Sequence, residues 1–470
     1  MSLRKISSEK YIRDAEIAAA APIAFPVEEY DNKEREVFEK KDGVVDFRTV
    51  GWPRATGIFL KVIFATGVLS IPTAFASLGA VPGVLSVIGW GALNTYLGVI
   101  LGNFRAEHPS NHSIADMAGM MGGPILKEMV GALFVIAWIL GTGSGIVGIA
   151  VALNTFSNHA ACTVWWCFLA AFIIAAMASV RTFHAIGWLT WTGFISIFIA
   201  VLIVVIGVTL RDRPAGAPQT GPYELGFLVI GNPTFQAGIT ASATIFVSSA
   251  GPVAFVPVIA EMRSPGDYKK ALFSCMGFVH ASYICFALVV YKWCGTWVTS
   301  PSLGSAGPTL QKVSYGVGVF GLLVSGALGL HVAAKFLFVR ILRNSRHLQS
   351  NTLIHWGTWL SCTFGLCAIS FILAEAVPIF NYLLALTGSL CFAPLQIALP
   401  GCLYLFQYRN TYKAGTALQK TIYYAHFLLP LLGAFMCAGG TYGVVQSIID
   451  AYANGTVGGV FSCANDSGIV

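Results

Sequence analysis

Charged residues are scarce in this sequence. Asp, Glu, Lys and Arg make up 10% of its 470 residues, whereas about a quarter of a typical soluble domain is charged. Hydrophobic residues account for 56%, and the mean hydropathy is +0.72. A lipid bilayer is therefore the expected environment of most of the chain, and we predict an all-α membrane protein because helices satisfy their own backbone in lipid.

Patterns typical of metal sites and catalytic centres are also missing. The eleven cysteines form no Cys-x-x-Cys pair and show no metal-like spacing with histidine, so we expect no metal and no other cofactor. No zinc-type His/Glu motif, nucleophile-elbow sequence or mid-membrane pair of acidic residues is present, which argues against an enzyme. The first 50 residues have no apolar stretch, so we predict no cleavable signal peptide.

The most prominent feature that the sequence does contain is a series of long apolar runs. Since a bilayer core about 30 Å thick needs roughly 20 apolar residues per helix, we searched for runs of that length. We predict eleven spans, at 53–79, 82–104, 128–156, 160–180, 186–210, 236–261, 271–296, 313–341, 355–377, 379–406 and 421–449.

The net charge of +7 is concentrated in alternate loops, namely the N-terminal tail and the ends of the even-numbered spans. The positive-inside rule then places the N-terminus in the cytoplasm. Eleven crossings of a cell membrane place the C-terminus outside. Nucleic acid is not indicated as a partner. Cys162 and Cys463 would lie outside, where a disulfide is permitted, although the sequence leaves their pairing open. Asn454 and Asn465 begin glycosylation acceptor patterns on the same side.

The spans form two halves of five, followed by one more. Because five is odd, the second half must enter the membrane from the opposite side, which makes the halves inverted repeats of the kind found in secondary transporters. The predicted segments are a cytoplasmic tail 1–51, a first repeat 52–210, an extracellular connection 211–235, a second repeat 236–406, a cytoplasmic loop 407–420, an eleventh helix 421–450 and an extracellular tail 451–470.

The first span of each half is interrupted by glycine and proline. Span 1 contains Gly67 and Pro72, and span 6 contains Gly251, Pro252 and Pro257. Opened helix ends offer N–H groups to an anion and C=O groups to a cation. One alternative is that these residues only permit close helix packing. The matched positions favour a substrate site at the two breaks, where we expect Gly67 and Gly251 to lie in unwound segments that face one another around a central pocket.

The same stretches resemble a known family. The run Thr66-Gly67-Val68-Leu69-Ser70-Ile71-Pro72 is similar to the G-x-L-S-x-P opening of the amino acid/auxin permease family, in the amino acid-polyamine-organocation superfamily. The run Pro257-Val258-Ile259-Ala260-Glu261-Met262 is similar to the end of its helix 6. The chain resembles in particular fungal neutral amino acid permeases of the N amino acid transport system type. The resemblance implies a LeuT-like 5+5 inverted repeat with broken helices 1 and 6, plus an eleventh helix, and coupling to protons or sodium. It also implies a substrate site formed by Ala65, Thr66, Gly67, Val68, Ser248, Ser249, Ala250 and Gly251.

Few ionisable residues fall within the predicted spans away from their ends. His331 is near mid-membrane and Lys335 lies one turn further along the same face, so both are candidates for ion coupling. We expect a protonated His331 to bond carbonyls that the break in span 1 frees. The resemblance implies a cation site where helix 8 meets helix 1. Simpler roles are open: His331 as a neutral imidazole bonded to a carbonyl, and Lys335 and Lys61 as lysines that extend to the membrane surface. We expect His280 to be structural.

The favoured function is import of neutral aliphatic and aromatic amino acids by alternating access, with protons as the coupling ion. The absence of mid-membrane acids argues against dibasic substrates. The alternative is a non-transporting amino acid sensor on the same fold. A channel is disfavoured because no clear polar stripe is present.

Overall fold

The structure is a computed structural model that describes residues 50–64, 67–180, 183–342, 345, 347, 352–455 and 458–464, with only the backbone at 183–188, 412 and 413. Its helices are α1 Trp52–Ile63, α2 Gly67–Leu78, α3 Ala80–Glu107, α4 Ile114–Ser157, α5 Thr163–Ala178, α6 Phe183–Thr209, α7 Phe235–Val247, α8 Val256–Glu261, α9 Tyr268–Cys294, α10 Pro308–Leu342, α11 Leu353–Ala376, α12 Phe380–Leu386, α13 Leu399–Gln407, α14 Thr411–Ala414, α15 Ala417–Ala425 and α16 Leu428–Ala453. A π-helix, Thr387–Ala398, joins α12 to α13.

Nine stretches of the described chain are long and apolar enough to cross a membrane, and α1 with α2 makes a tenth if the bent pair is one span. These ten coincide with ten of the predicted spans. The predicted span 160–180 is the 16-residue helix α5, which is about 24 Å long at 1.5 Å per residue. That is shorter than a bilayer core, so the structure supports nine or ten full-length spans.

The third predicted span starts earlier than expected. α4 begins at Ile114, where Ser113 and Asp116 form a capping box, and the helix is kinked at Gly122 and Gly123. Gly123 has φ +74°, a left-handed conformation that glycine adopts without strain. The apolar run beginning near 128 is therefore only the second part of this helix.

The two halves pack directly on each other. α10 lies against α4 and α6, while α2 lies against α7, so the first span of each half meets the other. Large apolar side chains such as Leu85, Trp165 and Leu431 are exposed on the outside of the bundle. That arrangement suits a protein whose outer surface faces lipid.

Both ends of the bundle are tied by long-range contacts. At one end, Val50 donates its N–H to Glu261 O (3.2 Å) and accepts from Arg263 N–H (2.8 Å). At the other, Cys162 and Cys463 form a disulfide. The pairing that the sequence left open is thus present, and it attaches the C-terminal tail to the loop before α5. Of the two glycosylation candidates, Asn454 caps α16 and Asn465 lies outside the described residues.

Candidate functional site

The first span breaks between α1 and α2. α1 ends at Ile63, and Phe64 has left the helical region with φ −81° and ψ 61°. The chain resumes as helix at Gly67, and the two helix axes differ by 48°. Ala65 and Thr66, two of the predicted site residues, lie outside the described residues.

The sixth span is interrupted over about two turns without a sharp bend. After Val247 the backbone hydrogen bonds join residues three apart instead of four. They run from Ser249 N–H to Phe246 O (3.2 Å) and from Ala250 N–H to Val247 O (3.1 Å). A 3₁₀ turn, Pro252–Ala254, precedes α8. Because Pro252 has no N–H, it cannot donate the α-helical hydrogen bond to the carbonyl of Ser248.

The two interruptions touch each other. A Cβ added at Gly67 would lie 2.7 Å from Ser248 Cβ, and one added at Gly251 would lie 2.5 Å from Ile63 Cγ1. Gly67 thus faces Ser248 and Gly251 faces Ile63, whereas we had expected the two glycines to face one another around a central pocket. The Ser248 hydroxyl donates to Thr244 O at 2.7 Å and lies 3.4 Å from Gly67 O.

The other predicted substrate-site residues are buried beside the same contact. Val68 and Ala250 are both buried. Ser249 Oγ accepts a 2.9 Å hydrogen bond from the side-chain amide of Asn94 on α3, which also donates to Phe246 O at 3.2 Å. α3 therefore supports the interrupted part of span 6 from its far side.

Tyr283 on α9 connects the two breaks, and our sequence analysis did not identify it. Its hydroxyl lies 3.0 Å from Ile63 O and 2.9 Å from Ser248 O. The Phe64 ring stacks on the Tyr283 ring at a centroid distance of 5.6 Å. A tyrosine deep within an apolar span was the available signal, because a buried phenolic hydroxyl usually has a hydrogen-bond partner.

Gln396 on the π-helix supplies a second unexpected contact. Its side-chain oxygen accepts the N–H of Val253 at 3.1 Å, so span 10 satisfies a backbone donor in the interrupted part of span 6. π-helical segments frequently occur at functional sites. A glutamine and Pro394 within one apolar run were the sequence signals for this feature.

Lys61 is completely buried and does not extend to the membrane surface. Its ammonium donates to Gly321 O (2.9 Å) and Ser325 Oγ (2.6 Å) on α10 and to Gly193 O (3.3 Å) on α6. Only uncharged groups accept these hydrogen bonds. The lysine that joins span 1 to spans 5 and 8 is therefore Lys61.

His331 lies elsewhere on α10. Its Nδ1 is 3.1 Å from Ala178 O, and its ring meets the Trp359 ring edge-on at 5.2 Å. Six residues separate it from Ser325, which turns the two side chains about 120° apart around the helix. The structure therefore does not bring His331 to the broken part of span 1, where we had expected it to bond freed carbonyls.

Lys335 lies at the end of the bundle where Val50 meets Glu261. Its ammonium is 3.6 Å from a Glu261 carboxylate oxygen, so it joins α10 to the end of span 6. His112, in the loop before α4, belongs to the same region. Burial, together with the positive charges of Lys335 and Arg105, lowers the pKa of His112 to about 4 despite the opposing effect of Asp116. His112 is thus neutral at physiological pH.

The described residues predicted for the substrate site lie together, but those predicted for ion coupling do not. His331 and Lys335 share a face of α10 yet contact different elements. His280 has its Nδ1 2.5 Å from Met276 O within its own helix, which agrees with the structural role we expected. In the described part of the chain, no group of three or more His, Cys, Asp or Glu side chains could hold a metal ion.

Comparison with solved structures shows the fold. The crystal structure of MhsT in complex with L-phenylalanine superposes with a TM-score of 0.53 at 11% identity, covering 82% of this chain and 98% of MhsT. Mhp1, a nucleobase-cation-symport-1 family transporter, in a closed conformation with bromovinylhydantoin bound, gives 0.52 at 15% identity, covering 89% and 96%. Both are LeuT-fold transporters.

Sequence comparison shows the family. The chain is 47% identical over 436 residues to a transmembrane transporter of Gibberella moniliformis, covering 93% of this chain and 92% of the relative. It is 29% identical to the N amino acid transport system protein of Neurospora crassa, covering 91% of each. The model of the transmembrane amino acid transporter family matches residues 48–446. The chain is therefore a multi-pass, LeuT-fold membrane protein that belongs to the transmembrane amino acid transporter family.

Proposed function

We propose that this protein imports neutral aliphatic and aromatic amino acids by proton symport and alternating access. The observation that carries the proposal is the contact between the two interrupted spans, Gly67 against Ser248 and Gly251 against Ile63. Interrupted helices expose backbone dipoles of both signs at membrane depth, which suits the carboxylate and ammonium of a zwitterion.

The surroundings of the breaks support a neutral substrate with an apolar side chain. Phe64 packs against a cluster of rings that includes Phe194, Phe198 and Phe286, with centroids 5.5 to 6.3 Å away. The described hydrogen bonds of Ser248, Ser249 and Tyr283 include no carboxylate. A dibasic substrate would need an anionic partner for its second positive charge.

For the coupling ion we propose a proton carried by Lys61. Of the three basic residues considered, Lys61 contacts both halves beside the break, whereas His331 packs on α5 and α11 and Lys335 pairs with Glu261. Because no carboxylate among the described residues pairs with Lys61, its proton can leave without breaking an ion pair there. Because Lys61 links spans 1, 5 and 8, a change in its protonation state also alters contacts in both halves.

Transport and sensing are distinguished by radiolabelled leucine uptake into proteoliposomes that contain the purified protein, with and without an inwardly directed proton gradient. We expect accumulation that a protonophore abolishes and that excess phenylalanine, but not lysine, competes away. Protein-free liposomes are the control. Leucine binding to the protein without any uptake would instead support the sensor alternative and overturn the proposal.

We also propose the predicted orientation, in a cell membrane with a cytoplasmic N-terminus and an exterior C-terminus. It requires an odd number of crossings, so the short helix α5 counts as one of eleven spans. The Cys162–Cys463 disulfide supports it, because disulfides persist in oxidising compartments. In intact cells, a membrane-impermeant maleimide should label the protein several-fold more after mild reduction. A Cys162→Ser, Cys463→Ser double variant should show no such increase. Equal labelling of both proteins after reduction would contradict an exterior disulfide.

A further inference from the structure

The Tyr283 hydroxyl lies between two carbonyl groups that belong to different halves of the transporter. Ile63 is the last residue of α1, and Ser248 follows the last residue of α7. The hydroxyl oxygen is 3.0 Å from the first carbonyl oxygen and 2.9 Å from the second. All three residues are buried, so bulk water does not supply the hydrogen bonds of these carbonyls.

Donors are in short supply at this point. A tyrosine hydroxyl has one proton, so it cannot give both carbonyls a full hydrogen bond at once. The Ser248 carbonyl has lost its α-helical donor because Pro252 has no N–H. The Ile63 carbonyl is at the end of α1, where the last carbonyls of a helix have no partner inside it. Among the described residues, the two carbonyls thus have fewer hydrogen-bond donors than they can accept.

An ammonium group matches this pair better than a hydroxyl does. It has three donors, and its charge strengthens each hydrogen bond to a carbonyl oxygen. Both oxygens lie about 3 Å from a single point, which is the spacing at which one nitrogen can donate to both. The partial negative charge at the ends of α1 and α7 favours a cation at the same point.

We infer that Tyr283 is a placeholder for the substrate ammonium: its hydroxyl holds the Ile63 and Ser248 carbonyls together in the empty transporter and gives them up when an amino acid binds. This inference rests on the proposed function. Tyr283 then holds the broken parts of spans 1 and 6 next to each other between transport cycles. It also disfavours ligands without an amine, because such ligands cannot replace the hydrogen bonds that the hydroxyl surrenders.

Whether Tyr283→Phe tightens or weakens leucine binding tests this role. The phenylalanine side chain at position 283 cannot donate a hydrogen bond to either carbonyl in the empty protein. The free energy of the empty protein therefore rises relative to that of the leucine complex. We therefore expect the Kd for leucine to fall by about three- to tenfold, the range given by one hydrogen bond of typical net strength. Because release then slows, KM and kcat for uptake should fall together.

The matched control is Tyr291→Phe, on the same helix. Tyr291 is also fully buried, but its hydroxyl accepts the Leu228 N–H at 2.9 Å, outside the breaks. We would titrate each purified protein with leucine and with 4-methylpentanoate, which has the same side chain without the amine. Only Tyr283→Phe should tighten leucine binding, and neither variant should tighten 4-methylpentanoate binding.

Two results would overturn the inference. Weaker or unchanged leucine binding by Tyr283→Phe, with wild-type protein binding normally, would show that the hydroxyl is only structural or contributes directly to the complex. Wild-type protein that binds no amino acid would instead overturn the proposed function itself. If Tyr283→Phe is too unstable to titrate, the leucine-induced rise in its Tm should still exceed that of wild type, and a smaller rise would count against the placeholder.

Discussion

Replacing Gly67 with valine is expected to abolish amino acid uptake while the protein still inserts into the membrane. A Cβ at this position would lie 2.7 Å from Ser248 Cβ and 2.8 Å from Ser248 Cα. Since the second of these atoms is backbone, a side-chain rotation cannot relieve the contact, and the two broken spans must separate. A β-branched side chain is also stiff at χ1, so it cannot easily turn its added bulk away from the contact.

Gly251→Val should behave similarly but less severely. Its added Cβ would meet Ile63 Cγ1 at 2.5 Å, which is a side-chain atom that can move. The matched control is Gly277→Val on α9, where a Cβ would meet nothing within 4 Å. We expect uptake below a few per cent of wild type for Gly67→Val, a partial loss for Gly251→Val and near-normal uptake for Gly277→Val, with equal surface expression of all three.

Normal uptake by Gly67→Val would mean that the contact between the breaks is not needed for transport. Loss of surface expression in Gly67→Val alone would show that the glycine serves folding instead. Because Gly277→Val carries the same change in composition, it separates these outcomes from a general intolerance of valine in the spans.

The positions of the breaks could be predicted because their causes are local. Pro252 acts through a missing N–H, and Gly67 and Gly251 act through the absence of a side chain, which allows a close approach. Both effects can be read directly from the residue type. The same holds for the apolar runs, since span length depends on the bilayer rather than on neighbouring helices. α5 is the exception, because its helix, Thr163–Ala178, is shorter than the apolar run 160–180 that predicted the span.

The partners of the breaks could not be predicted, because they depend on how each helix is rotated about its own axis. The rise per residue predicts how far His331 lies from the ends of its span, but depth alone does not tell which neighbour a side chain faces. Lys61 was misjudged for the same reason: a lysine near the end of a span can extend to the surface only if a path is open, and α6 and α10 close that path. Tyr283 and Gln396 bond to backbone groups in other spans, which a single sequence does not reveal.

The coupling role proposed for Lys61 makes the last prediction. In alternating access, a proton bound from outside must favour the substrate-loaded, inward-moving state, since binding both states equally would shift nothing. A protonated Lys61 donates to α6 and α10 and so holds span 1 against both. Loss of that proton to the cytoplasm would weaken these bonds and release span 1. The membrane potential assists by about 2.3 kcal/mol per 100 mV for each charge moved inward.

Two substitutions separate a proton carrier from a fixed cation at this site. Lys61→Gln keeps a donor without charge, and Lys61→Arg keeps a charge that cannot be lost. If Lys61 carries the proton, both variants should lose accumulation driven by a pH gradient, by at least tenfold, yet retain leucine exchange across the membrane. Should Lys61→Arg still concentrate leucine with unchanged pH dependence, Lys61 is a permanent cation and another group carries the proton.

His331→Gln and Lys335→Gln are the matched comparisons, because the sequence alone favoured these two residues. His331 packs against Ala178 and Trp359, so its substitution should lower stability while the dependence of uptake on the proton gradient persists. Lys335→Gln removes the ion pair with Glu261, and we expect it to alter the transport rate at every pH alike. The contrary result is that His331→Gln uncouples uptake from the proton gradient while Lys61→Gln does not. The proton would then be carried on the face of α10 that packs against α5 and α11, and the contacts of Lys61 would serve only to hold span 1 in place.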